Sequence, residues 1–430
     1  MGPAARHTRP VTDRVLIVGQ GYVGLPLAMR AVSAGFDVTG LDVDAARVRA
    51  LNRGDSAVED VPSRELRAAL AGGRYRATTS VGAGHRFDVA VVSVPTPLKD
   101  SVPDLGFIEA CATALAPHVT PGCTVILEST TYPGTTEELV GPVLEEGSGL
   151  KAGVDFHLGY SPERIDPGNE HWTLRTIPKV VSGLTPACLA AVDAFYSRLV
   201  DTTIPVSSPR TAELTKLLEN TFRHVNIALV NELAIYAHDL GIDVWEALDA
   251  ASTKPFGFMR FTPGPGVGGH CLPIDPSYLS WEVRRTLGCS FRFVELANDI
   301  NDHMPDYVVA RVVAALNQTQ RSVSGSAILL VGLAYKKNTG DARESPNLSI
   351  GTKLCGLGAT VLAVDPRVGP DAVPPGIELH RDLSELPEDV DLALLLVDHR
   401  EVDVDALQER AAHILDCRNV VATSPKVERL

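Results

Sequence analysis

The sequence predicts an α/β protein in which two parallel-sheet domains are separated by a helical connector. Three observations carry that prediction. Short β-branched runs alternate with helical patterns near the N-terminus, the alternation returns near the C-terminus, and the stretch between is helical almost throughout. Apolar runs that do not alternate with polar residues belong to strands covered on both faces, as in parallel sheets.

The elements follow in order. "RVLIVGQGYVG" is an apolar run closed by Gly19, with further glycines at 21 and 24. A helical pattern of Leu25, Leu27, Ala28, Ala31 and Val32 follows and stops at Gly35. "FDVTGLDVD", "DVAVVSVP" (ended by Pro95) and "CTVILEST" supply further strands. Near Ser208 the pattern changes: Ser208 and Pro209 read as an N-cap and first helical residue. The helix after them sets Leu214, Leu218, Thr221, Val225 and Leu229 on one side, and Lys216 and Asn220 on the opposite, polar side. Helical pattern continues through Ala251 and again through "ELANDINDHMPDYVVARVVAAL". "SAILLVG", "ATVLAVDP" and "DLALLLVDH" then form a smaller α/β unit without a G-x-G-x-x-G string. The expected divisions are 1–205, 206–318 and 319–430.

Composition narrows the function classes. Of 430 residues, 45% are hydrophobic and 21% charged, which is ordinary globular usage that needs no disulfide staples. Cys111, Cys123, Cys188, Cys271, Cys289, Cys355 and Cys417 show no C-x-x-C and no zinc spacing, so free thiols in a reducing cytoplasm and no metal are expected. All but Cys271 sit in helical or strand patterns and are expected to pack. "MGPAARHTRPVTDR" lacks the apolar segment of a secretion signal, and the run from His224 to Ile242 is interrupted by Asn226, Asn231, Glu232 and Asp239. A soluble cytoplasmic protein is expected. The net charge of −14 argues against nucleic acid as a partner.

The glycine string "GQGYVG" follows a strand, opens a helix, and is followed by Asp42 at the end of the next strand. That context is a Rossmann-type dinucleotide turn: glycines admit the pyrophosphate and the aspartate accepts from the ribose hydroxyls. A carboxylate there repels a 2′-phosphate, so NAD is favoured over NADP. "SVPTPL" and "ESTTYPG" lie just past strand ends, on the edge where open α/β sheets bind ligands. "SPERIDPGN" puts Glu163 and Arg164 in a proline-bounded loop, and "YKKNTGDARESPN" places Lys336, Lys337 and Arg343 after a strand, either as a phosphate grip or as a charged turn. In "GPGVGGHCLPIDP" a thiol, Cys271, stands in a glycine- and proline-rich loop with His270 and Asp275 beside it. Accessible, polar surroundings suit a thiolate nucleophile better than a packing cysteine.

Taken together these strings resemble the UDP-glucose/GDP-mannose dehydrogenase family, the nucleotide-sugar 6-dehydrogenases, over nearly the whole chain. The motifs are "VLIVGQGYVGLPLA", "VPTPL", "SPER", "AELTKLLEN", "GVGGHCLPIDP" and "GLAYKKNTGDARES". The resemblance implies an N-terminal Rossmann-type NAD domain, a helical connector that dimerises, and a C-terminal Rossmann-like sugar-nucleotide domain. It also implies a four-electron oxidation of a C6 alcohol to a uronate through a thiohemiacetal and thioester on Cys271. Lys216 and Asn220 match the groups that stabilise the oxyanion, Asp275 the aspartate assisting proton transfer, Glu163 the glutamate of hydrolysis, and Thr131 the threonine orienting water. The implied cofactor set is Gly19, Gly21, Tyr22, Val23, Gly24, Asp42, Pro95, Thr96, Thr130 and Arg343. The implied substrate set is Glu163, Arg164, Lys216, Gly268 and Lys336, with no metal.

"SPERIDPGN" and "STKPFGF" look most like the UDP-N-acetylglucosamine 6-dehydrogenase branch. Pro167 stands where UDP-glucose enzymes often carry a second glutamate, while Arg260 and Thr262 depart from the acetamido branch, so UDP- or dTDP-glucose stays open. A simpler β-hydroxyacid-type NAD dehydrogenase would need neither Cys271 nor the third domain. A non-catalytic NAD-sensing protein would have no use for Lys216, Asn220, Cys271 and Asp275 together.

Overall fold

Val15, Leu16 and Ile17 are all buried, as a strand covered on both faces requires. They lie at the centre of the first sheet in a computed structural model that describes residues 13–82, 86–99, 102–166, 169, 171–269, 272–386 and 389–430. The chain forms two compact units, with the division between Leu218 and Glu219.

The first unit contains strands β1 (Arg14–Val18), β2 (Asp37–Leu41), β3 (Tyr75–Thr78), β4 (Val89–Val92), a short ribbon of β5 (Leu98–Lys99) and β6 (Val102–Pro103), then β7 (Thr124–Leu127), β8 (His157–Tyr160), β9 (Lys179–Gly183) and β10 (Thr203–Pro205). Its helices are α1 (Gly24–Ser33), α2 (Ala45–Arg53), α3 (Ser63–Ala71), α4 (Gly106–Leu115), α5 (Gly141–Ser148) and α6 (Pro186–Tyr196). The main sheet runs β3-β2-β1-β4-β7-β8-β9-β10. Strand order reverses between β1 and β4, which opens a crevice at their C-terminal ends. One feature departs from the all-parallel expectation: β9 pairs antiparallel to β8. The segment between them has no helix among its described residues, so the chain doubles back without a crossover. Apolar clusters cover both faces of the sheet, one built on Ile17, Leu25 and Val181, the other on Leu16, Leu115 and Leu158.

The helix α7 (Pro209–Asp239) carries the division between the units. Ser208 caps it as the sequence predicts, its hydroxyl accepting from the Thr211 amide at 3.2 Å. Its expected apolar face departs from the hydrophobic rule, although Leu217, Ala228 and Val230 are buried as that rule requires. Leu214, Leu218 and Leu229 are exposed, whereas Ala212, Glu213, Lys216 and His224 are buried. The polar side can be buried because its groups find partners: Glu213 accepts from the Gly134 and Thr136 amides, and Asn231 bonds Asn301 and the Gly264 amide.

The second unit adds α8 (Val244–Ser252), α9 (Asp275–Leu287) and α10 (Arg292–Gln318). Strands β11 (Ala327–Val331), β12 (Thr360–Val364), β13 (Ile377–His380), β14 (Val390–Leu395), β15 (Ala411–Asp416) and β16 (Val427–Arg429) follow, with α11 (Pro346–Gly356) and α12 (Leu407–Arg410) between them. All six strands are parallel in the order β13-β12-β11-β14-β15-β16. Its two faces are covered by clusters built on Leu330 and Leu392 and on Leu329 and Leu395. Cys289 overturns the expectation that six cysteines pack: it is exposed in the turn between α9 and α10. Among the described residues no helix is long and apolar enough to cross a membrane.

Candidate active site

The glycine turn after β1 is shaped by what a side chain there would hit. Gly19 has φ +88°, and a Cβ on it would stand 2.3 Å from the Ser93 carbonyl oxygen. A Cβ on Gly24, where α1 begins, would stand 1.8 Å from the Gly19 oxygen. Gly21 is different, because a Cβ there meets nothing within 4 Å. The turn is therefore closed behind Gly19 and Gly24 and open at Gly21, as a cradle for a pyrophosphate at a helix N-terminus must be. Asp42, buried at the end of β2, accepts from the Gln20 amide at 2.9 Å, the Asp44 amide at 2.9 Å and the Arg47 guanidinium at 2.8 Å. These residues fit a bound dinucleotide. Thr96 is buried, Pro95 exposed and Thr130 half-buried, all just past the ends of β4 and β7. Tyr22 is exposed and Val23 half-buried in the turn itself.

The loop after β8 presents Glu163. Its Oε1 accepts from the Arg164 and Ile165 amides, both at 2.6 Å, and its Oε2 accepts from Lys179 Nζ at 3.0 Å. Lys179 also pairs with Glu128, which in turn accepts from the Tyr196 hydroxyl at 3.1 Å. Burial pushes the Glu163 carboxyl up, but the Lys179 ammonium and the two amides outweigh it and leave it below the usual range. Glu128 moves the other way. It is wholly buried, and desolvation outweighs the pull of Lys179 and raises it. Lys216 Nζ donates to the Glu163 carbonyl oxygen at 2.6 Å, so this predicted catalytic lysine is buried and fixed against the Glu163 loop. Arg164 turns away to the Pro178 carbonyl oxygen at 2.5 Å. Thr131 is buried and donates to the Thr135 hydroxyl.

In the second unit Asn220 donates to Asp275, a buried carboxylate that opens α9. The glycine loop leading to it packs on the loop after β11. A Cβ on Gly268 would fall 2.6 Å from the Glu344 carbonyl oxygen, and Gly269 N donates to the Arg343 carbonyl oxygen at 3.1 Å. Two motifs far apart in sequence thus lie together, with Lys336 half-exposed and the Arg343 guanidinium paired with Asp341 at 2.6 Å. Arg260 pairs with Asp249, and Thr262 is exposed. His270, Cys271 and Pro167 lie outside the described residues.

Three family models match in chain order: the NAD-binding domain of the UDP-glucose/GDP-mannose dehydrogenase family over residues 13–200, its central domain over 210–303 and its UDP-binding domain over 329–423. The chain belongs to the UDP-glucose/GDP-mannose dehydrogenase family. Among relatives, a UDP-N-acetyl-D-glucosamine 6-dehydrogenase of Pseudomonas aeruginosa is 38% identical over 83% of each chain. An NDP-N-acetyl-D-galactosaminuronic acid dehydrogenase of Ralstonia solanacearum is 36% identical over 94% of this chain and 96% of its own. A solved UDP-D-ManNAc dehydrogenase from Pyrococcus horikoshii superposes with a TM-score of 0.88 at 33% identity, covering 97% of this chain and 98% of the other. As a family member the chain is an NAD-dependent oxidoreductase acting on a nucleotide sugar.

Sequence reading passed over five side chains that shape these sites: Arg47 on Asp42, Glu213 under the Thr131 loop, and Glu128, Lys179 and Tyr196 around Glu163. A signal existed for one of them. Lys179 opens the otherwise apolar run "KVVSG", and a lysine in a buried strand needs a carboxylate partner.

Proposed function

We propose that the chain is a nucleotide-sugar 6-dehydrogenase that oxidises the C6 hydroxyl of an NDP-hexose to the uronate, in two steps, through a thiohemiacetal and thioester on Cys271. The observation that carries this reading is Lys216. Its ammonium is buried and held at 2.6 Å from the Glu163 carbonyl oxygen, so a cation stands fixed against the backbone of the Glu163 loop. A fixed, desolvated ammonium stabilises an oxyanion without reorganising as charge develops.

Each side chain then has a task. NAD, bound in the turn of Gly19 to Gly24 with Asp42 on its ribose and Pro95, Thr96, Thr130 and Arg343 around it, supplies the hydride acceptor. Lys216 and Asn220 stabilise the alkoxide and the tetrahedral oxyanion, and Asp275 passes protons through water. Cys271 adds to the aldehyde and holds the half-oxidised sugar as a thiohemiacetal, whose C6 hydride would pass to a second NAD⁺ as its hydroxyl proton leaves, giving the thioester. In the last step water attacks the thioester carbon, its proton passes to Glu163, and the C–S bond breaks to return Cys271 as a thiolate. Thr131 orients that water. Lys336 meets the diphosphate, with Arg164 and Gly268 lining the sugar site.

The divisions 1–205, 206–318 and 319–430 correspond to cofactor binding, dimerisation and nucleotide-sugar binding. A homodimer through α7 is supported by its exposed apolar stripe of Leu218, Phe222, Leu229, Leu233 and Tyr236, since contiguous apolar surface marks an interface. A cytoplasmic location is consistent with the free thiols. The relatives named above act on acetamido sugars, which favours a UDP-linked N-acetylhexosamine over UDP- or dTDP-glucose.

The test is NADH formed per sugar consumed on UDP-N-acetylglucosamine, UDP-N-acetylmannosamine, UDP-N-acetylgalactosamine, UDP-glucose and dTDP-glucose. Two NADH per sugar on one acetamido substrate is the expected result. One NADH with aldehyde accumulating would remove the Cys271 step and favour the single-step alternative.

A further inference from the structure

We propose that Lys179, anchored by Glu128 and Tyr196, is a positioning residue that keeps Glu163 ionised as the proton acceptor of the hydrolytic step. The proposal rests on the reading of Glu163 given above, and names a residue that acts only through Glu163.

The geometry comes first. Lys179 opens β9, Glu128 follows β7, Tyr196 ends α6 and Glu163 follows β8, so four elements of one unit converge on a single ammonium. The Lys179 and Glu128 side chains are 3% and 0% exposed, and that of Glu163 is 12% exposed, so only the last can meet a substrate water. Glu128 Oε1 accepts from both Lys179 and Tyr196, while its Oε2 has no hydrogen-bond partner among the described residues. Lys179 Nζ also lies 5.1 Å from the centre of the Tyr196 ring. The ammonium is thus held from behind by Glu128 and offers a second donor forward to Glu163 Oε2. The other charged groups at Glu163 act elsewhere: Lys216 on its carbonyl oxygen, and Arg164 with one guanidinium nitrogen on the Pro178 carbonyl oxygen.

The consequence follows from charge. A carboxylate nearly out of water stays ionised only while an opposite charge and hydrogen bonds stabilise it. Two amides fix the orientation of Glu163 through Oε1, and Lys179 supplies the charge. Without Lys179, Glu163 holds its proton to higher pH and loses its capacity to take one from water. A purely structural ion pair would alter stability and leave that titration alone.

The experiment follows conversion of the sugar aldehyde to the uronate as a function of pH in Lys179→Met, Lys179→Arg and the double variant Glu128→Gln/Lys179→Met. The double variant removes both buried charges of the anchoring pair together, which folded proteins tolerate better than loss of one partner. Its acidic limb is expected to move up by about one pH unit, the scale of one neighbouring opposite charge. Lys179→Met is expected to move it by a similar amount, because Glu128, buried and without its cation, takes up a proton and adds no charge. Lys179→Arg is expected to restore the wild-type limb. A folded double variant whose acidic limb matches wild type overturns the proposal. Should Glu163→Gln convert aldehyde at the wild-type rate, the reading of Glu163 falls, and this proposal with it. Should Glu163→Gln stall while the double variant keeps the wild-type profile, only the proposal falls.

Discussion

Set side by side, the two sheets repeat one turn and put it to different uses. In each, the central strand ends in a glycine in the left-handed region, Gly19 at φ +88° after β1 and Gly332 at φ +87° after β11. Each glycine amide donates to the last residue of the neighbouring strand, Gly19 to the Leu41 carbonyl oxygen at 2.8 Å and Gly332 to that of Val364 at 2.9 Å. In each, an aspartate just past that strand accepts from the next amide: Gln20 to Asp42 at 2.9 Å, Leu333 to Asp365 at 2.8 Å. The difference lies in what is left over. An ionised carboxylate has about four lone-pair sites. Asp42 serves three donors and keeps capacity for a ribose hydroxyl. Asp365 serves Leu333, Ala334, Arg367, Val368 and the buried His399 ring, so nothing remains for a ligand. In the first sheet α1 starts at Gly24, directly after the turn, whereas in the second a long loop carrying Lys336 and Arg343 precedes α11 at Pro346. One strand order thus makes an NAD site in one unit, and in the other a turn closed around Asp365 and followed by a long loop.

The largest effect that would break this comparison is expected at Asp365. Asp365→Asn turns an amide NH₂ toward buried donors and costs about 3 kcal/mol, whereas Asp42→Asn costs well under half of that. Urea unfolding of both variants checks the pair, and equal losses would mean the two aspartates do one job. The sign with pH follows from the carboxyl itself. Burial pushes the Asp365 carboxyl up, but the His399 ring and backbone amides outweigh it and bring it down to about 2. Its contribution is therefore fully present above the ordinary carboxylate range and disappears as pH falls toward 2, amounting to roughly 2 kcal/mol. The Asn variant should lose that part of its pH dependence.

The second effect sharpens the cofactor side. Gly21→Ala meets open space, so stability should be unchanged. The added methyl instead occupies the approach of the pyrophosphate, and NAD affinity should fall by about 2 kcal/mol, roughly thirtyfold in Kd. Calorimetric titration with NAD decides it. Unchanged affinity would move the phosphates away from Gly21.

Much of this was legible in the sequence, for definite reasons. Strands β1, β4, β7, β11, β12 and β14 are largely apolar runs bounded by turn residues, and the glycine turn has a fixed spacing. The weak edge strands were not legible, because "TIP" at β10 and "VER" at β16 carry too few residues to show a period. The antiparallel β9 depends on how a loop returns, which periodicity does not encode. Helix α7 misled for a deeper reason: the rule that apolar faces pack assumes that polar ones are solvated. Here Glu213, Lys216, His224 and Asn231 are buried, while Leu214, Leu218 and Leu229 stand outside. That inversion draws Lys216 inward, and no count of helical spacing revealed it. Glu163 was visible as a loop carboxylate, but its partner Lys179 opens the next strand, β9, and Glu128 behind it stands just past β7, a pairing made only by the folded sheet.

The smallest effect concerns Asp42 and the partner that sequence reading passed over. Arg47 lies at 2.8 Å from the Asp42 carboxylate, which cancels part of its charge yet also restrains the arginine. While Asp42 is ionised, a 2′-phosphate would meet a carboxylate and an arginine already engaged. Asp42→Asn removes the repulsion and releases Arg47, whose guanidinium is suited to a phosphate. Preference for NAD over NADP should therefore fall by about 1 kcal/mol, roughly fivefold. Adding Arg47→Ala should reverse most of the gain in NADP affinity without restoring NAD affinity. The ratio of kcat/KM for the two cofactors in both variants measures this. A ratio unchanged in Asp42→Asn would place discrimination outside this pair, and a gain that survives Arg47→Ala would leave repulsion alone as its cause.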